Sequence, residues 1–251
     1  QFFGCSALTT VTIMVPAVNP VFTDWIDQDL LMTNAVTKII LTLGVTDVAD
    51  QSFRNKSSLL SIEFPESAKR IGNLAFQNCT GLKEINLAKG IASIAANAFE
   101  GCDKLAAINV PEGNGLYSSK DGLLFNSSGE TLIKCPEGKA TDLTLLEGVK
   151  TIGANAFRRC KVLNSVTLPE GITVIGSHAF SECIGLNGIT IPDSVTSIGN
   201  HAFSACNELT EITIPKMVTT IGTFAFTDCA KLKEVTIGES VTSIGTAAFS
   251  E

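Results

Sequence analysis

The sequence predicts a repeat solenoid of about ten rows, with one short parallel β-strand per 23-residue repeat and short β and 3₁₀ or helical turns on the other wall. Three observations predict it. Isoleucines 152, 175, 198, 221 and 244 stand 23 residues apart, and each is followed by Gly; self-similarity at a fixed period in this range is the signature of an array. A segment such as Leu209 to Ile214 places apolar Ile212 and Ile214 either side of Thr213, the period-2 pattern of a strand with one buried face. Between these lies a phrase such as Ala202-Phe203-Ser204-Ala205-Cys206, which recurs at a fixed offset.

The strand segments start at Leu8, Val36, Leu59, Leu82, Leu105, Ala140, Leu163, Leu186, Leu209 and Leu232. Their intervals are 28, then 23 three times, then 35, then 23 four times. Stacked in parallel, one strand per row makes a curved sheet along one face, about 45 Å long at roughly 4.8 Å per step.

The rest of each repeat supplies the other wall. Val195 to Ile198 reads as a second short β segment, and Gly199 after it suits a turn needing a positive φ or a close approach. The Ala-Phe-x-x-Cys phrase is too short for a full helix but suits one helical or 3₁₀ turn. Phe and Cys then share the inward face of that turn. Phe53, Phe76, Phe99, Phe157, Phe180, Phe203, Phe226 and Phe249 hold this position, and stacked aromatics at one offset point to a core spine before a binding box.

Two stretches break the pattern. Residues 14–35 form a divergent row, in which Thr23 is placed to cap a short helix running to Leu31, with Asp24 and Asp27 in its first turn. Residues 112–139 read as an inserted β-hairpin, with two apolar runs flanking the turn-rich Asn126-Ser127-Ser128-Gly129. The whole of 1–251 is a single solenoid on this reading, and both ends fall inside a repeat, as in a fragment of a longer protein.

Composition narrows the function classes. The chain is 45% hydrophobic and 17% charged, enough to bury a long core. A net charge of -7 without a Lys/Arg cluster argues against nucleic acid and anionic membrane surfaces. No apolar run reaches transmembrane length, so no membrane insertion is expected. Motifs for dinucleotide, P-loop, metalloprotease and serine-hydrolase sites are absent, so no catalytic residue and no cofactor is assigned.

The full signature, Ile-Gly-x-x-Ala-Phe-x-x-Cys-x-x-Leu-x-x-Ile-x-Ile-Pro, closely resembles the BspA-like leucine-rich repeats, also called the Treponema pallidum type. Six complete Ala-Phe-x-x-Cys copies, ending at Cys79, Cys102, Cys160, Cys183, Cys206 and Cys229, carry the resemblance. The interruption from Asp121-Gly122-Leu123-Leu124-Phe125 to Cys135-Pro136-Glu137-Gly138-Lys139 also looks like one that such proteins carry. The resemblance implies a right-handed leucine-rich-repeat array and an extracellular or surface-anchored protein of a bacterium or mucosal protist. It further implies adhesion to a host or microbial protein, and it transfers no catalytic or ligand-binding residue.

Candidate sites follow from position in the repeat. Seven of the eight cysteines, Cys5 included, share one offset, and Cys135 lies in the hairpin. With no Cys-x-x-Cys pair they do not read as a metal site; they read as a buried reduced ladder, with one or more disulfides as the alternative. His178 and His201 share an offset and should be adjacent on the outer wall, where two imidazoles could bind a transition metal, but the offset elsewhere holds Leu74, Asn97, Asn155, Phe224 and Ala247. Asn55, Asn78 and Asn126 open glycosylation sequons, which carry weight only in a eukaryotic secretory context.

The outward strand positions are the candidate ligand face: Asn86, Asn109, Thr144, Thr167, Thr190, Thr213 and Thr236, with Glu211 and Glu234 two residues before the last pair. Thr is also simply a good residue for an exposed strand. The expectation is a non-catalytic binding scaffold for a protein or glycan; the alternative is a structural spacer displaying another domain. Exposed end rows further predict end-to-end self-association.

Overall fold

A computed structural model of the chain describes residues 7–14, 21–22, 36–139 and 141–250. It divides into two compact units, residues 1–122 and 123–251. The short helix expected between Thr23 and Leu31, Cys5 and Ala140 lie outside the described residues.

In the first unit the outward-facing strands are Thr10–Ile13, Lys38–Leu41 and Ser61–Glu63 in one parallel sheet, and Glu84–Asn86 with Ala107–Asn109 in another. The shorter strands Val21–Phe22, Asp47–Val48, Arg70–Ile71 and Ser93–Ile94 form a four-stranded parallel sheet. In the second unit the outward-facing series is Asp142–Thr144, Ser165–Thr167 and Gly188–Thr190, then Glu211–Ile214 with Glu234–Ile237. Its short strands Thr151–Ile152, Val174–Ile175, Ser197–Ile198, Thr220–Ile221 and Ser243–Ile244 run unbroken. An antiparallel pair, Leu123–Asn126 with Thr131–Lys134, extends that sheet, and Thr131 and Leu132 pair in parallel with Thr151 and Ile152. The Asn126 carboxamide oxygen closes the hairpin turn by accepting the Thr131 N–H at 3.1 Å.

The alternating pattern sorts as the period requires. Ile212 and Ile214 are buried and Thr213 is exposed. The aromatic spine stacks in register, with ring centroids 4.7 Å apart for Phe157–Phe180 and 5.0 Å for Phe180–Phe203 and Phe203–Phe226. Rows of the second unit are thus joined by stacked apolar side chains as well as by backbone hydrogen bonds.

The recurring Gly after Ile is explained by close approach. A Cβ on Gly222 would sit 2.4 Å from the Asn200 nitrogen and 2.4 Å from the Gly199 carbonyl carbon. Row spacing at this corner leaves no room for a side chain.

Two expectations need correction. The Ala-Phe-x-x-Cys phrase is not a helical turn. Its 3₁₀-type bonds are present, as in Ser204 N–H to His201 O and Cys206 N–H to Phe203 O, both at 3.2 Å. However, His201 (φ 52°) and Ala205 (φ 58°) are left-handed, so the phrase is a chain of β-turns. The cause is tertiary: His201, Phe203 and Ala205 turn their N–H groups to Thr223, Ala225 and Thr227 carbonyls of the next row at 2.7–2.9 Å, which a helix would direct along its own axis.

Nor is the outward-facing sheet continuous. Its ladder lapses between Ser61–Glu63 and Glu84–Asn86, and again between Gly188–Thr190 and Glu211–Ile214. The rows on either side of the second lapse stay joined through Ser197–Ile198 and Thr220–Ile221 and through the turn bonds just described. The other wall carries the row-to-row bonding, so the outward-facing ladder can open without parting the rows.

Candidate ligand face

Threonines occur on both walls of the second unit, in different roles. On the turn-bearing wall, the Thr173, Thr196, Thr219 and Thr242 hydroxyls donate to the carbonyl 23 residues earlier, at 3.1–3.3 Å. On the strand-bearing wall, Thr144, Thr167 and Thr190 stand in register, as do Thr213 and Thr236. All five side chains are exposed, and none of their hydroxyls makes a hydrogen bond to the described residues. One ladder of hydroxyls is spent on structure; the other is free.

Glu211 and Glu234 face each other in the same register, both exposed. Like charges directly opposite on a strand pair repel, and neither makes an ion pair with a described residue. In the first unit Asn86 and Asn109 pair in register, and the Asn109 amide donates to the Asn86 carboxamide oxygen at 2.8 Å. The positions expected to form the face thus belong to one ladder in the first unit and to two in the second. Between the two in the second unit lies an open recess of about 380 Å³, lined by Thr190, Glu211 and Thr213 among polar residues and by Ile189, Ile191 and Pro215.

The cysteines described are all free and buried. Cys79 and Cys102 donate to the Phe53 and Phe76 carbonyls at 3.0 Å, and Cys206 and Cys229 to those of Phe180 and Phe203 at 3.2 Å. Burial pushes the Cys79 thiol up to about 12 and that of Cys229 up to about 11, so these sulfurs are neutral donors, unsuited to nucleophilic or metal chemistry.

His178 and His201 are adjacent, with centroids 4.6 Å apart and planes within 5° of parallel. That geometry opposes the metal reading, because lone pairs in two parallel planes run side by side and do not converge on one ion. Among the described residues no three His, Cys, Asp or Glu side chains gather as a metal site, and no helix is long and apolar enough to cross a membrane.

Comparison with known proteins decides the family. The BspA type leucine-rich repeat region matches residues 25–137 and 134–251. The chain belongs to the BspA-type leucine-rich repeat family. Solved structures share the fold of this BspA-type array. The pneumococcal vaccine antigen PcpA is 22% identical, with 98% of this chain and 77% of that one covered, at a TM-score of 0.66. A leucine-rich repeat protein from Eubacterium ventriosum is 21% identical over 96% of this chain and 88% of that one, at 0.59. A leucine-rich cell surface protein from Faecalibacterium prausnitzii is 18% identical over 92% and 83%, at 0.52. No curated protein sequence matches the BspA-type chain.

Sequence reasoning missed two polar features of this BspA-type array. Glu182 gathers Arg158 at 3.0 Å and Arg159 at 3.1 Å, and Arg159 lies 3.6 Å from Glu137, whose side chain is 1% exposed. The Ser181 and Ser204 hydroxyls pair at 2.8 Å inside the turns. The 23-residue offset of Arg159 and Glu182 was a usable signal for the first and that of the two serines for the second, since equal offsets become neighbours in the stack.

Proposed function

We propose that this BspA-type array is a non-catalytic binding scaffold at the cell surface or outside the cell, recognising a host or microbial protein through its strand-bearing face. The observation that carries the reading is the contrast between the two threonine ladders. Hydroxyls at 173, 196, 219 and 242 are engaged with backbone carbonyls, whereas those at 144, 167, 190, 213 and 236 are exposed with no bond to the described residues. A row of unengaged hydroxyls on a rigid backbone can hydrogen-bond a partner at little ordering cost. The cell-surface and antigen descriptions of proteins with the same fold support the location. A lack of exposed aromatic side chains on this ladder favours a protein over a stacked sugar.

The test begins with the intact chain on an array of matrix proteins and glycans, to identify a partner. Lysine is then placed at Thr167, Thr190 and Thr213 together. Binding to the identified partner should fall at least tenfold with the thermal midpoint unchanged; undiminished binding by the folded triple variant rejects this face.

A further inference from the structure

The histidine pair is absorbed neither by the core nor by the ligand face. Its rings are half-buried and stack on each other at 4.6 Å, and His201 stacks in turn on Phe224 at 5.0 Å and 21°. The column stands on turn residues with left-handed backbones, at φ 56°, 52° and 55°. Those same residues tie the rows: His178 N–H donates to Asn200 O at 2.8 Å, and His201 N–H to Thr223 O at 2.9 Å. The stacked rings and these row-to-row bonds therefore belong to the same turn residues.

We propose that the stacked imidazoles of His178 and His201 form an acid-responsive element, whose neutral rings hold the outer turns of adjacent rows together and whose double protonation loosens them. One proton enters the column against no like-charged ring. The second proton meets the first 4.6 Å away in a half-buried setting, where like charges repel strongly.

The charged groups facing His178 deepen this. Arg158 of the preceding row opposes protonation, while Glu182 favours it. Glu182 is already held by Arg158 at 3.0 Å and Arg159 at 3.1 Å, so its carboxylate is largely committed. Burial first, then His201 and Arg158, hold the His178 imidazole below its ordinary value of 6.5. The sign follows: below that ordinary value the unfolded chain takes up more protons than the folded one, so stability falls as pH falls.

The test uses imidazole carbon–proton NMR titration with amide hydrogen exchange, corrected for intrinsic rates. His178 should titrate below 6.5 in the native chain, and move up toward that value in His201→Asn. Asn155 occupies the same offset at φ 60°, so Asn suits the backbone there; His201→Phe, matching Phe224, serves if His201→Asn does not fold. Amide protection at positions 178 and 201 should drop about tenfold between neutral pH and pH 5, and a His178→Asn/His201→Asn double variant should lose that drop. Protection that is flat with pH in the native chain, or that falls equally in the double variant, overturns the proposal.

Discussion

The Sγ of Cys183 donates to the carbonyl oxygen of Phe157 at 3.0 Å, across 26 residues of sequence. The bond repeats at Cys79, Cys102, Cys206 and Cys229. It explains why a thiol occupies a position where an alanine or serine would be the simpler small residue. The thiol fills apolar space and gives a second hydrogen bond to a buried carbonyl that already accepts a turn N–H, as Phe157 O does from Cys160 at 3.0 Å.

Replacing Cys206 by Ala removes both. The Phe180 carbonyl loses its sulfur partner, and a small void opens beside the spine. A loss of about 1–2 kcal/mol is expected, from the lost thiol bond and the deleted volume together, since the Phe180 carbonyl keeps the Cys183 N–H at 3.2 Å. Urea unfolding of Cys206→Ala against the native chain measures it, and a change under about 0.5 kcal/mol would show the thiol bond to be dispensable.

The same thiols set an alkaline limit. Their ordinary value of 9.0 applies to the unfolded chain, while burial raises Cys79 to about 12 and Cys229 to about 11 in the fold. Cys135, Cys183 and Cys206 are also raised by burial. A raised folded value means stability is fully present below pH 9 and declines as pH rises through 9 toward 12. Urea midpoints between pH 8 and 11 should fall progressively. Alkylation mass spectrometry at pH 8 should modify the described cysteines only when the array is unfolded.

Two glycines separate close approach from mere smallness. A Cβ at Gly222 would fall 2.4 Å from the Asn200 nitrogen, whereas one at Gly188 meets nothing within 4 Å. Gly222→Ala should cost about 1–3 kcal/mol or more through forced row separation. Gly188→Ala should be neutral or stabilise by about 0.5–1 kcal/mol, because Gly in a strand loses more backbone freedom on folding. Thermal midpoints of the two variants should move in different directions or at least differ clearly.

Glu211 opposite Glu234 offers a stability test of the proposed ligand face. Glu211→Lys converts a repulsive cross-strand pair into an attractive one. A gain of about 0.2–1 kcal/mol is expected, diminishing in high salt. A destabilised Glu211→Lys variant at low salt would show that another contact of Glu211 dominates.

The aromatic spine should respond as a cooperative element. Phe203 lies 5.0 Å from both Phe180 and Phe226 and is fully buried. Phe203→Ala should cost about 3–5 kcal/mol. Differential scanning calorimetry reads this as a lower midpoint, and two resolved transitions would indicate that the array has been cut into separately melting blocks.

The row architecture was legible in the sequence because a solenoid is periodic in one dimension. Residues 23 apart become neighbours, so the Phe column, the Cys ladder, the threonine face and the adjacent histidines could be placed by counting. What only the tertiary structure decided concerns where backbone groups bond. Whether Ser204 and Cys206 close a helix or a set of β-turns depends on carbonyls in the next row. The lapse between Gly188–Thr190 and Glu211–Ile214 likewise depends on how two walls share the bonding of one stack. Spacing reports which residues meet; only the packed rows determine which N–H finds which carbonyl, because that choice is made between repeats and not within one.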